Sequence, residues 1–184
     1  MKNIVLIKIG AEKLFQNGKL VHDQVELFDT IQKLHSKNKV IIVASGAINF
    51  GSTDLPTRPD DYSLSALSSI GQPQLIKYYE DNLKDNGIRV AQCLITHSNL
   101  QLPKFMENIQ NVIHELLECD YIPIVNSNDT VSEKELNGGD NHQLSLKLIE
   151  FLGIEKAIVY LSKSLLHHKS VYQKVLDKTE FIEF

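Results

Sequence analysis

Ile122-Pro-Ile-Val-Asn-Ser-Asn-Asp-Thr-Val131, followed closely by Gly138-Gly-Asp-Asn-His142, is the stretch that decides the fold. Its first half is a continuous apolar, β-branched run, the composition of a strand buried on both faces of a parallel sheet. The run breaks off into Asn126, Asn128, Asp129 and Thr130, and two glycines then lead into a helical pattern capped by Asp140 or Asn141. A buried strand ending in amides and a carboxylate, with a helix behind it, is the layout of a ligand site at the carboxyl end of a parallel sheet.

Similar buried-strand runs lie at Ile4 to Ile9, Val40 to Ala44, Val90 to Ile95 and Lys156 to Leu161, beside Tyr121 to Asn126 itself. Helical periods separate them. Val21, Val25, Phe28, Ile31 and Leu34 share one face, as do Leu64, Leu67, Leu75, Tyr78 and Leu83. The same spacing links Phe105, Ile109, Val112 and Leu116, and again Leu144, Leu148 and Phe151. Strand and helix alternating in this way predict βαβ units with right-handed crossovers, hence an α/β protein with a mostly parallel central sheet. Gly18, Gly87 and Gly153 fall where loops or helix ends are expected, and Pro56 and Pro59 mark a loop from Ser52 to Asp61. The final stretch from His167 to Phe184 is expected to add an edge strand around Val171 to Leu176.

With 184 residues, 42% hydrophobic and 23% charged, the chain is long enough for one sizeable core and short for two. A net charge of −4 and a pI near 6.0, with no Lys/Arg block, leave out the electrostatic footprint of a nucleic-acid binder. There is no run of 18 apolar residues, and Lys8 comes too early for a signal-peptide core, so no membrane partner and a cytoplasmic location are expected. Cys93 and Cys119 lie in apolar elements without CxxC spacing and read as two buried structural thiols of a reducing compartment.

Three strand ends carry residues suited to an anionic small molecule: Lys8-Ile-Gly10, Ser45-Gly46-Ala47, and Asn126 to Thr130. Glycine just past a strand lets a phosphate approach the backbone, and exposed amides there bind anions without a side chain. Lys8 interrupts an apolar strand; it must either find a partner or sit on an edge strand facing solvent, because a lone buried ammonium is costly. Asn128, Asp129, Asp140 and Asn141 suit the ammonium and polar groups of an amino acid, or else only supply turns and helix caps. His142, in a first helical turn, and His167-His168 read as surface residues, and no metal-binding pattern is present. GxSxG, GxxxxGK[ST] and GxGxxG fingerprints are absent.

Taken together, Ile7-Lys-Ile-Gly10, Val43-Ala-Ser-Gly-Ala-Ile48, Ser69-Ile-Gly-Gln72, Ile122-Pro-Ile-Val-Asn-Ser-Asn-Asp129 and Gly139-Asp-Asn-His-Gln-Leu144 resemble the amino acid kinase family, and within it the glutamate 5-kinases. The resemblance runs from about Ile4 to Leu161. It implies a three-layer αβα sandwich over residues 1–164 with a carboxyl-terminal extension over 165–184. It also implies transfer of the γ-phosphate of ATP to the γ-carboxylate of glutamate, with Mg²⁺, in proline biosynthesis. Carried over by position, Lys8 would be catalytic, Gly10 and Gly46 would bind phosphate, and Ser45, Asn126, Asp129 and Asn141 would surround glutamate.

Several positions depart from the family pattern. Ala11-Glu12 stands where small hydroxyl residues are usual and is expected to repel ATP, and His142 replaces an aspartate that orients the family's catalytic lysines. Leu102-Pro-Lys-Phe-Met106 replaces an arginine-bearing segment. After the fifth strand, Leu161-Ser-Lys-Ser-Leu-Leu-His-His168 replaces family nucleotide signals, leaving Lys163 or Lys169 to stand in for a second catalytic lysine. Most of the family's carboxyl-terminal nucleotide-binding part is therefore expected to be absent, and activity reduced or lost. The alternative is a non-catalytic regulatory module of kinase descent that binds an amino acid, such as glutamate or a similar small carboxylate, or another anion. A homo-oligomer is expected, with the edge near Lys156 to Leu161 or Val171 to Leu176 covered by another chain.

Overall fold

A computed structural model describes residues 3–53, 55–131, 140–162, 166 and 168–183. The five strand runs form where the sequence placed them: β1 (Ile4–Ile9), β4 (Lys39–Ala44), β5 (Arg89–Ile95), β6 (Tyr121–Ser127) and β7 (Lys156–Leu161). A further strand, β8 (Thr179–Glu183), completes a sheet of order β5-β6-β4-β1-β7-β8 in which every pairing is parallel. A short antiparallel hairpin, β2 (Phe15–Gln16) and β3 (Lys19–Leu20), turns at Asn17-Gly18 just after helix α1 (Ala11–Leu14).

Two apolar layers sandwich the sheet, and the period-2 alternation of side chains assigns each strand residue to one of them. Val5, Ile7, Ile9, Ile42 and Ile124 face α2 (Val25–Lys37), α3 (Ala47–Gly51) and α4 (Leu64–Leu83). Leu6, Ile41, Val43 and Val125 face α5 (Pro103–Glu118), α6 (Asp140–Leu152) and α7 (Lys169–Val175). Helix α6 links β6 to β7 and crosses β4 and β1 on the way, so its first turn arrives over the carboxyl ends of the central strands. Lys8 shares its parity with Leu6 and therefore points into the α6/α7 layer.

Helices α3 and α4 meet backbone to backbone. A side chain at Gly51 would run into the Leu67 carbonyl and the Gly71 amide, and one at Gly71 into the Ala47 carbonyl and Gly51. This contact seats Ser68 and Gln72 of α4 beside the end of β6. Gly46, at φ 117, makes the turn from β4 into α3, where the Phe15 ring packs edge-on against Phe50 at 4.9 Å. A β-carbon cannot adopt that backbone without strain.

Several sequence expectations are corrected here. Val171 to Leu176 is not an edge strand: Lys169–Val175 is helix α7, with Tyr172 wholly buried, and the strand lies later, at Thr179–Glu183. β7 is not an edge, because β8 of the same chain covers it. The buried face of α5 is Ile113 and Leu117, while Phe105 and Val112 are exposed; the stripe is rotated by one residue because the helix packs on β6 through its last turns. Val25 is 67% exposed, since α2 begins there and buries Leu27, Phe28, Ile31 and His35 instead. Cys119 is exposed at the end of α5, whereas Cys93 is half-buried and its thiol is pushed up to about 11 by burial.

Gly71→Ala tests the helix contact. The gain in helix propensity, at most about 1 kcal/mol, is outweighed by an overpacking cost of about 3 kcal/mol, for a net loss of about 2 kcal/mol in urea unfolding. Gly87→Ala meets no neighbour and is expected to lose about 1 kcal/mol, from its positive φ alone.

Candidate functional site

Because every strand of the sheet runs the same way, the ends of β1, β4 and β6 that carry Lys8, Ser45 and Asn126 open on one rim. The first turn of α6 ties them together. Asn141 Nδ2 donates to the Ala44 carbonyl at 3.0 Å, to Ser45 Oγ at 2.7 Å and to Asn126 Oδ1 at 2.9 Å, so its two hydrogens are shared among three acceptors. Asn126 Nδ2 in turn donates to Gln72 Oε1 at 2.9 Å. Asn141 is thus not a helix cap; it lies within α6, whose first residue is Asp140.

Lys8 lies in the central strand β1, flanked by Val43 of β4 and Val159 of β7, and is 2% exposed. The solvent-facing alternative is excluded. Its ammonium meets His142 Nε2 at 3.0 Å, and burial lowers its pKa from 10.5 to about 8, the nearby Glu12 carboxylate partly opposing that shift. His142 is not a surface residue: it is 5% exposed, its Nδ1 lies 3.2 Å from Tyr172 Oη, and its ring stacks on His168 at 4.0 Å. Crossing over the strand ends turns the first turn of α6 inward.

The other expected positions divide into two groups. Gly10 follows β1, and the Glu12 carboxylate folds back over it, filling the space a side chain there would need. Gly46 sits against Ala11 and Phe15, on the α1 side of the same rim. Asp129 stands apart, its Oδ2 accepting from Ser68 Oγ at 2.9 Å on the wall of a cleft of about 210 Å³. Gln72, Gln92, Ser127, Asn128 and Thr130 also line that cleft. Lys169 does not stand in at the rim, because it pairs with Glu183 on β8. Gly138, Gly139, Lys163 and His167 lie outside the described residues.

Three buried polar atoms at the rim have no hydrogen-bond partner among the described residues: Glu12 Oε1, Gln72 Nε2 and Asn141 Oδ1. Such atoms are rare in folded proteins and mark places where a ligand can complete the bonding. Sequence reasoning missed Gln72, Ser68 and Tyr172; it placed His142 where the family has a lysine-orienting aspartate but read it as a surface residue. Only Gln72 and His142 stood in segments that carried a signal.

Residues 3–163 match the model of the amino acid kinase family. The chain belongs to the amino acid kinase family. Its family relatives include the glutamate 5-kinase of Rippkaea orientalis, 38% identical over 152 residues, covering 79% of this chain and 41% of the relative. That of Oceanobacillus iheyensis is 38% identical over 150 residues, 78% of this chain and 40% of the relative. That of Chromohalobacter salexigens is 33% identical over 161 residues, 84% and 43%. The chain spans less than half the length of these curated amino acid kinases. The parallel sheet with helices on both faces is consistent with an amino acid kinase fold. No helix among the described residues is long and apolar enough to cross a membrane.

Lys8 costs stability. Lowering its pKa from 10.5 to about 8 corresponds to about 3 kcal/mol at neutral pH, where folded and unfolded states are both protonated. Between pH 8 and 10.5 the unfolded state binds more protons, so stability rises with pH across that window. Lys8→Met removes this cost and also removes the hydrogen bond to His142 Nε2, which costs about 1 kcal/mol. The expected result is a variant about 2 kcal/mol more stable than the parent at pH 7, with the advantage gone by about pH 10.5, measured by urea unfolding across pH.

Proposed function

We propose that this chain carries the acceptor and phosphoryl-contact side of an ATP-dependent phosphotransferase of the glutamate 5-kinase type, passing the γ-phosphate of ATP to the γ-carboxylate of glutamate. Neighbouring residues of one helical turn support this most. Asn141 binds the ends of β4 and β6, and His142 holds Lys8 at the end of β1. Phosphoryl transfer needs mainly positioning and compensation of spreading negative charge, and a buried lysine beside glycine loops supplies both. Gly46 would offer its amide to phosphate oxygens, and Gly10 would do so once the Glu12 carboxylate folded over it swings aside. The acceptor carboxylate, with a reference pKa of about 4.3, is already ionised, so no general base is required.

Glutamate would be held by Ser45, Asn126, Asp129 and Asn141. Asp129, on the wall of the cleft that Gln72 also lines, suits its ammonium, and the open Gln72 Nε2 suits a carboxylate. Mg²⁺ accompanying ATP would suit Glu12 Oε1, a buried carboxylate oxygen without a hydrogen-bond partner among the described residues and a hard ligand of the kind that ion takes, in competition with its charge interaction with Lys8. When bound, the ion neutralises phosphate charge. Among the described residues no group of three or more His, Cys, Asp or Glu could hold a metal by itself, so the ion would be shared with the nucleotide phosphates. Without such a cation, Glu12 opposes ATP.

That opposition favours a second reading, an amino-acid-binding module of kinase descent that no longer transfers phosphate. ADP release from ATP, Mg²⁺ and glutamate separates the two. The phosphotransferase requires glutamate-dependent ADP formation that drops about 10²- to 10³-fold in Lys8→Met. The rate should also fall above about pH 8, where Lys8 loses its proton. If no Lys8-dependent ADP forms while glutamate alone raises the melting temperature, the binding module replaces it.

A further inference from the structure

The bonds around Lys8 define a directional chain. An ammonium has only donors, so His142 Nε2 must accept from it, which assigns the imidazole proton to Nδ1. Nδ1–H then donates to Tyr172 Oη. Burial keeps the Tyr172 phenol protonated far above neutral pH, and it donates to Ser145 Oγ. Ser145 donates to the backbone carbonyl of His142 at 2.8 Å, one turn back in α6. Each donor has an acceptor, and the chain ends on a carbonyl, not on a carboxylate.

The chain spans three elements far apart in sequence. Lys8 is on β1, His142 and Ser145 on α6, and Tyr172 on α7, itself 0% exposed and packed edge-on against Phe181 of β8. His168, at the start of α7, covers the other face of the His142 ring. Among the described residues, the charged and titratable groups around Lys8 are Glu12 from α1, His142 from α6, and Tyr172 with His168 from α7.

We infer that His142 and Tyr172 are positioning residues that hold the Lys8 ammonium toward the transferring phosphoryl group, which makes α7 part of the site instead of an appendage to it. The inference rests on the proposed role of Lys8 in phosphoryl transfer. A neutral relay replaces a fixed negative charge at this position, which leaves Glu12 as the counter-charge of Lys8. The lysine is accordingly held by hydrogen-bond geometry more than by ion pairing. Such indirect partners typically change activity by about 10- to 100-fold when removed.

NMR of the full chain tests this without needing turnover. Nitrogen-15 shifts of the His142 ring at pH 7 should show a bare Nε2 and a protonated Nδ1. The Lys8 side chain should titrate near pH 8 in the parent. His142→Leu should lower that midpoint by about one pH unit through loss of the acceptor, and His142→Asp should raise it by a similar amount. In Tyr172→Phe, which keeps the ring volume, Lys8 still fixes the His142 proton on Nδ1, but the less firmly held ring should let the Lys8 midpoint fall in the same direction as in His142→Leu, by less. The same variant should lower kcat about tenfold with the KM for glutamate unchanged. If His142→Leu does not fold, the Lys8 midpoint in Tyr172→Phe decides the question instead. An imidazole protonated on Nε2 in the parent, or a Lys8 midpoint that stays put in both His142 variants, overturns the inference. Absence of turnover in the parent counts against the proposed reaction alone; the NMR measurements still decide the positioning roles.

Discussion

The ammonium of Lys8, 2% exposed in the middle of a parallel sheet, sets the terms for what surrounds it. A charge of that kind is tolerated only where polar groups reach it, and leaving it unpaired would cost several kcal/mol. The α6 turn meets that demand. Asn141 and His142 are consecutive, yet one reaches back to β4 and β6 while the other reaches β1. Placing both correctly requires α6 to cross the strand ends at one height. Tyr172 and His168 then close over the histidine from a helix the sheet would not otherwise need at that position.

A second constraint works from the opposite face. Gly51 and Gly71 let α3 and α4 touch along their backbones, and the consequence appears one helical step away. Ser68 meets Asp129 and Gln72 meets Asn126 only because nothing larger holds the two helices apart. The rim is therefore gripped from both layers of the sandwich, with buried polar atoms left over at Glu12, Gln72 and Asn141. A fold selected for stability alone would have paired those atoms or replaced them. Gathered at one rim beside a destabilising lysine, these open atoms fit a site that trades stability for ligand contact.

Much of this was legible in the chain itself. Continuous β-branched runs ending in Gly10, Gly46 and Asn126 announced buried parallel strands with a shared carboxyl rim, and the five runs from Ile4 to Leu161 formed as read. The misreadings share one cause. Val171 to Leu176 contains enough valine to suggest a strand, but Tyr172 could satisfy its ring and hydroxyl together only inside a helix packed on α6. Phe105 and Val112 form a plausible stripe, yet Ile113 and Leu117 face the sheet because the end of α5, not its start, packs there. His142 looked like a surface residue because nothing local marks which way a first turn faces.

Local pattern carries what depends on neighbours in sequence: the strand period, the turn glycines, and the polar residues waiting at each strand end. By itself the chain thus determined a parallel α/β sheet and which strand ends would share a rim. Which groups touch was decided by strand order and by the path of α6, and these depend on contacts between residues as far apart as Lys8 and His142, 134 positions along the chain. Periodicity of two or 3.6 residues says which face a side chain takes, but only the assembled layers determine what stands on the other side. That is why the lysine could be singled out from the sequence, its histidine only through the family resemblance, and its tyrosine and serine partners not at all.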